Sequence, residues 1–378
     1  MSIERGSADN SVHLNTMQRS SLNLEVSCPH SLLEVEMVNI AVVGLGWWGK
    51  IMVNTLAGSS SVRVVAAVEP NAELGAPLCK EGGIRHYAQL SDALQDPEVE
   101  AVILTTPNRF HEEQIVEAAQ AGKHVLCEKP LALGLASAER AVEACLRSGV
   151  RLGIGHERRF EPPMKMVRQL VADGALGQVL QIEGNFSQNK FLALAPDNWR
   201  LSVQEAGCGP MTATGIHLLD LAGSIAGAAR AVRATAYNLA TGFESGDSAS
   251  AHVVFDNGVT ATINAMLSTP FYSRFAVFGS RGWIEVRDKS HVESPSGWIV
   301  TRSTTGDETE TIDIPVATPV RENVEAFARA VRGKQSDYPV SLQEMLNTTS
   351  LLESVFEAAR TGSLVVPRKS DVLARVRT

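Results

Sequence analysis

Hydrophobic and polar positions between residues 37 and 157 follow two periods in turn. Short apolar runs rich in β-branched residues, typical of buried strands, alternate with segments whose apolar positions recur at helical spacing. Strands that alternate with helices in this way predict βαβ units and a parallel sheet. The predicted strands are Ile40–Val43, Val62–Val68, His86–Tyr87, Val99–Leu104, His124–Cys127 and Val150–Ile154; the predicted helices are Lys50–Ala57, Ala72–Gly82, a short helix capped by Ser91 and ending at Leu94, His111–Ala121 and Ala136–Arg147.

The pattern changes after His156. Successive runs with period-two alternation dominate, and Asp256-Asn257-Gly258 between two of them indicates a hairpin turn. Such a succession predicts a mostly antiparallel sheet with helices on one face. The predicted strands are Val179–Gln188, Ala231–Ala240, Ala249–Phe255, Val259–Leu267, Phe275–Phe278, Trp283–Arg287 and Trp298–Arg302; the predicted helices are Pro162–Ala172, Thr214–Ile225, Val320–Val331 and Leu342–Arg360.

Length and pattern together predict an α/β protein of two domains. A chain of 378 residues exceeds the usual size of one domain, and the change of pattern places the boundary between residues 37–157 and 158–378. Residues 1–36 are polar and rich in Ser and Asn, so we expect a poorly ordered extension without a signal-peptide core. Met37 directly precedes the first strand and is a second candidate for the start of translation.

Composition excludes several classes of partner. The net charge is −8 and no block of Lys or Arg occurs, which disfavours nucleic acid and anionic membrane surfaces as partners. No apolar run is long enough to cross a bilayer. Five scattered cysteines without C-x-x-C pairs indicate free thiols in a reducing compartment, which we expect to be the cytoplasm, and the histidines show no metal-ligand spacing.

The first strand leads into Gly44-Leu45-Gly46-Trp47-Trp48-Gly49, which has the spacing G-x-G-x-x-G before a helix. In this context Gly44 permits a tight turn, Gly46 allows close approach of a pyrophosphate, and Gly49 allows close helix–strand packing. The N–H groups at the helix start favour a phosphate anion. A purely structural glycine turn is the alternative. Glu69, at the end of the second strand and twenty positions after Gly49, is placed to bind the adenosine ribose, which favours NAD over NADP; a solvated charge is the alternative.

Two further stretches end parallel strands, where open α/β sheets bind ligands: Thr105–Asn108 and Glu128-Lys129-Pro130. A partly desolvated Lys129 would have a lowered pKa and could exchange a proton with a substrate hydroxyl; an ordinary surface lysine is the alternative. His217 lies in the first turns of a helix after a glycine-rich segment, with Asp220 on the same face. It is a second candidate acid or base, or else a histidine satisfied by a neighbour.

These motifs together resemble the glucose–fructose oxidoreductase, inositol dehydrogenase and rhizopine catabolism family. The resemblance runs from about Val38 to Pro367, and the Glu128-Lys129-Pro130 element after the glycine fingerprint is its most specific part. It is also carried by Thr105-Thr106-Pro107-Asn108 with His111, by Gly155–Pro162, by Gly215–Asp220, by the Asn323–Ala328 helix and by Arg360-Thr361-Gly362.

The resemblance implies a Rossmann domain followed by a substrate-binding α/β domain, whose large open sheet forms homodimers or homotetramers. It implies NAD(P)-dependent oxidation or reduction at a secondary alcohol of a sugar, glycoside or cyclitol. Lys129 and His217 would be catalytic, and Pro130 would present Lys129 through a cis bond. The implied cofactor-binding residues are Gly44, Leu45, Gly46, Trp47, Trp48, Gly49, Glu69, Thr105, Thr106, Pro107, Asn108, His111, Glu128 and Lys129; the implied substrate-binding residues are Lys129, His156, Arg158, Trp199, Arg200, Thr214 and His217.

One position departs from the family pattern. The family has an Asp four positions before the histidine, and this chain has Ala213 there. Thr212 or Thr214 could supply a hydroxyl, but neither carries a charge, so the expected triad is reduced to Lys129 and His217. The departure favours one alternative, an oxidoreductase acting on a cyclic dihydrodiol, an imine or an enal. A non-catalytic dinucleotide-binding regulator is a further alternative, against which the retained Lys129 and His217 argue.

Overall fold

The computed structural model describes residues 37–291, 294–304, 306, 308–333 and 338–376, so the predicted extension at 1–36 lies outside it. The first part of this range forms a six-stranded parallel sheet in the order β3-β2-β1-β4-β5-β6. Its strands are β1 (Val38–Val43), β2 (Val62–Val68), β3 (Arg85–Tyr87), β4 (Ala101–Leu104), β5 (His124–Cys127) and β6 (Leu152–Ile154); its helices are α1 (Trp47–Leu56), α2 (Ala72–Gly82), α3 (Leu90–Gln95), α4 (His111–Gln120) and α5 (Leu135–Ser148).

The strand order of this first sheet reverses between β1 and β4, which pair directly from Ile40 with Ala101 to Val43 with Leu104. Both strands are fully buried along that register, because helices cover both faces of the sheet. A reversal of this kind opens a crevice at the carboxyl ends of the strands. The glycine turn after β1 and Thr105 after β4 therefore lie side by side at that crevice.

The second sheet has eight strands in the order β14-β13-β12-β11-β7-β10-β9-β8. Its neighbours pair antiparallel except β7 and β10, which are parallel. The elements are α6 (Pro162–Ala172), β7 (Val179–Ser187), α7 (Val203–Ala206), α8 (Ile216–Ala226), β8 (Ala229–Tyr237), β9 (Ser248–Phe255), β10 (Thr260–Met266), β11 (Tyr272–Gly279), β12 (Trp283–Asp288), β13 (Trp298–Ser303), β14 (Glu310–Ile314), α9 (Pro319–Val331), α10 (Leu342–Thr361) and α11 (Val372–Arg375).

Buried apolar side chains form one core against the second sheet and one on each face of the first. The core of the second sheet joins its inward side chains, such as Phe255 and Phe275, to those of α8 and α10. The chain then returns to the first sheet, where Val324 and Phe327 of α9 pack in the same cluster as Met52 of α1. Within the described ranges, no helix is long and apolar enough to cross a membrane.

The predicted fold class is confirmed, and the local differences include three that have a clear physical reason. Strand β14 was missed, because Glu310 and Asp313 make its sequence resemble a loop. The helix expected to be capped by Ser91 begins at Leu90 with Gln89 as its N-cap residue, since burial of Leu90 fixes the start. The helix expected over Thr214–Ile225 is two segments: a π-helical turn at Met211–Gly215, then α8.

Candidate active site

A cavity of about 570 Å³ lies at the carboxyl ends of β1, β4 and β5 and reaches the second sheet at Phe186 and Asp288. It brings together most of the residues singled out from the sequence. Those that line it are Trp47, Trp48, Thr105, Thr106, Asn108, Glu128, Lys129, Pro130, Arg158, Trp199, Arg200, Thr214 and His217. Lys129 and His217, which are far apart in the sequence, therefore face the same space.

The glycine turn fits a dinucleotide on the geometry of its three glycines. Gly44 has a φ of +88°, a left-handed conformation that favours glycine. A Cβ on Gly49 would lie 1.9 Å from the Gly44 carbonyl oxygen, whereas a Cβ on Gly46 would meet no atom within 4 Å. Gly46 is the N-cap residue of α1 and has no side chain to cap the helix. The first N–H groups of α1 and the open space at Gly46 thus leave room for a pyrophosphate.

Glu69 is held at this turn from the end of β2. One carboxylate oxygen accepts the Leu45 N–H at 2.9 Å and the other accepts the Asn71 N–H at 3.1 Å. The Thr105 hydroxyl, from the end of β4, donates to the Gly44 carbonyl at 2.6 Å. These bonds tie the ends of β2 and β4 to the glycine turn that follows β1, and they hold the Glu69 carboxylate beside that turn.

Lys129 follows β5 and lies half-buried over the π turn. Its Nζ donates to the Ala213 carbonyl at 2.9 Å. Burial lowers the pKa of Lys129, and the carboxylates of Glu157 and Glu128 oppose that shift. The Lys129–Pro130 peptide bond is cis, as the resemblance implied.

His217 lies in the first turn of α8 and is buried, with 5% of its surface exposed. Its Nδ1 lies 3.6 Å from Oε1 of Glu157. Burial holds the pKa of His217 well below its usual value, and the nearby Lys129 and Arg158 cations act in the same direction. His217 is therefore a neutral imidazole at pH 7, able to accept a proton.

Two buried carboxyl groups accompany Lys129. Glu128 accepts the Lys129 backbone N–H at 3.2 Å, and burial together with repulsion from Glu157 raises the pKa of Glu128 to about 7. Glu157 begins the 3₁₀ turn Glu157–Phe160 after β6 and also lines the cavity. The sequence reading missed Glu157, although an acidic residue shortly after a parallel strand end was a signal available for it.

His111 does not line the cavity. Its Nδ1 lies 2.8 Å from the Pro130 carbonyl oxygen and its Nε2 lies 3.0 Å from the Thr106 carbonyl oxygen. Both ring nitrogens therefore face backbone carbonyls, and the ring supports the turns that carry Thr106 and Lys129; a direct contact of His111 with the cofactor stays a prediction. Pro107 is likewise outside the lining residues, between Thr106 and Asn108.

Two of the predicted substrate residues, His156 and Arg158, are engaged with carboxylates, and only Arg158 lines the cavity. His156 is buried behind the cavity, with its Nε2 3.5 Å from Asp220, whose carboxylate accepts two hydrogen bonds from Arg159 at 2.7 Å. Arg158 lines the cavity but its guanidinium is paired with Asp288 at 2.8 Å and with Glu161.

The remaining candidate substrate residues are Trp199, Arg200 and Thr214, and all three line the cavity. The Arg200 guanidinium carbon lies 4.3 Å from the centre of the Trp199 ring, and both residues line the cavity. The Thr214 hydroxyl donates to the Phe186 carbonyl at 2.7 Å, and the Thr212 hydroxyl donates to the Ala206 carbonyl at 2.5 Å. Neither threonine has its proton free for a substrate.

Comparison with known proteins matches both parts of the chain to family models. Residues 38–156 match the oxidoreductase family with an NAD-binding Rossmann fold, and residues 164–285 match the GFO/IDH/MocA C-terminal domain. The chain is 30% identical to 1,5-anhydro-D-fructose reductase of Ensifer adhaerens over 76% of its own length and 88% of that protein. It is 25% identical to an NADP(+)-dependent D-xylose 1-dehydrogenase of Haloarcula marismortui over 87% of its length and 92% of that protein.

Solved structures agree on the fold. Aldose-aldose oxidoreductase from Caulobacter crescentus superimposes with a TM-score of 0.79 at 26% identity, covering 87% of this chain and 99% of that one. A levoglucosan dehydrogenase in complex with NADH gives the same TM-score at 20% identity, covering 89% and 100%. The predicted oxidoreductase class and nicotinamide cofactor are confirmed by these relatives, and some of them use NADP.

Proposed function

We propose that this chain, which belongs to the GFO/IDH/MocA family of oxidoreductases, transfers hydride between NAD and a secondary alcohol or ketone of a sugar, glycoside or cyclitol. The observation that carries the proposal is the shared cavity of Lys129 and His217 beside the glycine turn. Relatives that reduce anhydrofructose or oxidise xylose support the choice of a carbohydrate.

The cofactor would be held by the glycine turn and by the ends of the first-sheet strands. The α1 N–H groups and Gly46 would receive the pyrophosphate, and Glu69 would bind the adenosine ribose. Thr106 and Asn108 would line the nicotinamide end. Bound NAD supplies the hydride acceptor, while the protein supplies orientation and proton transfer.

Lys129 and His217 would together handle the hydroxyl proton of the substrate. The Lys129 ammonium, fixed by the Ala213 carbonyl, has donors left for the oxygen of the substrate. It stabilises the negative charge that develops on that oxygen as its proton leaves. The neutral His217 ring accepts the proton in the oxidation direction and returns it in the reduction direction.

We further propose that residues 37–157 and 158–378 act as the cofactor-binding and substrate-binding parts of the chain and that the second sheet mediates self-association. The side chains of Tyr237, Tyr272 and Ile299 on strands of that sheet are 59%, 40% and 39% exposed. Apolar side chains on an exposed sheet are a common basis for a symmetric interface. Light scattering coupled to size-exclusion chromatography tests this, and a monomer at working concentration would contradict it.

The function is tested with a panel of aldoses, anhydrosugars, cyclitols and cyclic dihydrodiols, offered with NAD⁺ and NADP⁺ while NADH or NADPH absorbance is followed. We expect activity on at least one carbohydrate or cyclitol, with NAD⁺ preferred. The Lys129→Ala variant serves as the negative control for contaminating dehydrogenases. Activity confined to dihydrodiols, or NADH binding without any hydride transfer in either direction, would contradict the proposal.

A further inference from the structure

We infer that Glu157 is the positioning carboxylate of the site, which orients His217 and balances the charge of Lys129. It lies on the 3₁₀ turn after β6, whereas position 213 lies on the π turn. The inference rests on the proposed proton-transfer role of Lys129 and His217. Lys129 and His217 are both assigned to proton transfer, yet the π-turn position where the family resemblance implies an Asp carries only the methyl group of Ala213.

Glu157 lies where such a carboxylate is needed. It is 6% exposed, it lines the cavity, and its Oε1 is 3.6 Å from Nδ1 of His217. Its Oε2 and the His217 Nδ1 are both buried without a hydrogen-bond partner among the described residues. A movement of about 0.6 Å would bring Nδ1 and Oε1 to a normal hydrogen-bond distance. Because buried polar atoms are normally paired, the two groups are poised to meet.

The other carboxylates around the cavity are already engaged. Asp288 and Glu161 pair with Arg158, and Asp220 pairs with Arg159. Glu128 accepts the Lys129 backbone N–H. Glu157 therefore is the acidic side chain that reaches toward His217 in the described part of the chain.

Electrostatics connects the same carboxylate to Lys129. Burial raises the pKa of Glu157, and the Lys129 cation opposes that shift more than any other group does. In return, Glu157 is the largest influence that raises the pKa of Lys129 against its burial. Glu128 also raises the pKa of Lys129. Arg158 lowers the pKa of Glu157, and Asp220 raises it. Glu157 therefore favours the protonated form of Lys129, which is the form that binds the substrate oxygen.

The bond from Nδ1 to Glu157 would fix which ring nitrogen of His217 faces the substrate. When Nδ1–H donates to Oε1, Nε2 is unprotonated and is the nitrogen that accepts. In the oxidation direction the substrate O–H bond breaks as its proton passes to Nε2, the carbinol C–H bond breaks as hydride passes to NAD⁺, and the C=O bond forms. A carboxylate behind the imidazole also stabilises the imidazolium that results.

The first test reads the histidine ring directly and needs no substrate. Nitrogen chemical shifts of histidine-labelled protein, with His217 assigned through His217→Gln, report which ring nitrogen carries the proton. We expect Nδ1–H in the parent chain and a changed tautomer or pKa in Glu157→Gln. An unchanged His217 signal and titration in Glu157→Gln would overturn the inference even if the enzyme oxidises sugars as proposed.

The second test separates charge from packing. In Glu157→Gln we expect kcat to fall by about 10²-fold or more, within the range of a lost acid–base contribution, with little change in NADH affinity. Glu157→Asp should keep part of the activity, and it replaces Glu157→Gln if the amide variant does not fold. Glu100→Gln removes a carboxylate far from the cavity, paired with Arg332, and should keep the parent kcat.

A transplanted carboxylate completes the design. Ala213→Asp in the Glu157→Gln background places an acidic group on the π turn beside Lys129, and we expect at least a tenfold recovery of kcat. A kcat of Glu157→Gln within twofold of the parent value would refute the positioning role. A parent enzyme that oxidises nothing in the panel, with its His217 tautomer altered by Glu157→Gln, would instead refute the proposed function alone.

Discussion

The glycine turn offers a substitution whose effects on folding and on cofactor binding should separate. A Cβ on Gly46 would meet no atom within 4 Å, and the backbone there has φ −63° and ψ −170°, which alanine adopts without strain. Relative to glycine, alanine raises the unfolding free energy by about 0.4–1 kcal/mol, because it reduces the entropy of the unfolded chain. It lowers the unfolding free energy by about 0.5–1 kcal/mol because it is a poorer N-cap residue. We therefore expect the unfolding free energy of Gly46→Ala to stay close to that of the parent protein.

Cofactor binding should respond quite differently to Gly46→Ala. The new methyl group would occupy the space through which a pyrophosphate approaches the α1 N–H groups. Overpacking of one methyl group costs about 1–3 kcal/mol, which corresponds to about a 5- to 150-fold weaker Kd for NADH. Quenching of tryptophan fluorescence by NADH measures this directly, since Trp47 and Trp48 line the cavity.

Two further glycine variants serve as controls for Gly46→Ala. Gly223→Ala, in α8, would also meet no atom within 4 Å, so it should leave NADH affinity unchanged. Gly49→Ala would place a Cβ 1.9 Å from the Gly44 carbonyl oxygen, so it should lower both stability and affinity. If Gly46→Ala binds NADH within twofold of the parent protein, the pyrophosphate does not lie on this turn and the cofactor placement is wrong.

The remaining predictions concern the charged groups of the site. Lys129→Ala should lower kcat by about 10²- to 10⁴-fold while NADH affinity measured by titration changes little; an equal fall in both would make Lys129 a cofactor anchor instead. Asp220→Asn removes the charge that two Arg159 hydrogen bonds face, and it should lower the unfolding free energy in urea by about 3–5 kcal/mol; a loss under about 1 kcal/mol would contradict the buried pairing. The raised pKa of Glu128, from 4.5 to about 7, means that the folded chain holds a proton that the unfolded chain releases. Its contribution to stability is therefore full below pH 4.5 and declines by about 3 kcal/mol as pH rises to about 7. Glu128→Gln should remove this decline from the pH dependence of urea unfolding, and parallel curves for the two proteins would refute it.

Much of the fold was accessible from periodicity, because buried strands and amphipathic helices carry distinct patterns. Strands β2 and β5 and helices α2 and α6 have the predicted bounds. The exceptions arise where tertiary contacts decide. Strand β14 pairs with β13 at the sheet edge, where its charged residues face solvent and leave no clear alternation.

Site residues could be predicted from the sequence only where a motif marked them. Lys129 and His217 were found through their flanking residues, and the structure brings both to one cavity. Glu157 was missed because Glu157-Arg158-Arg159 reads as a solvated charge run, whereas the 3₁₀ turn buries all three. His111 was assigned to the cofactor because its sequence position cannot reveal that both ring nitrogens meet backbone carbonyls.

The π turn at Met211–Gly215 gives the site an unusual dependence on chain length. A π turn contains one residue more than an α-helical turn in the same place, and the Ile216 N–H accordingly donates to the Met211 carbonyl. Loss of a single codon here would let α8 extend backwards and rotate the preceding residues by about 100° relative to His217. The carbonyl that receives Lys129 would turn with them, so in this stretch a one-residue indel should be more damaging to catalysis than most substitutions.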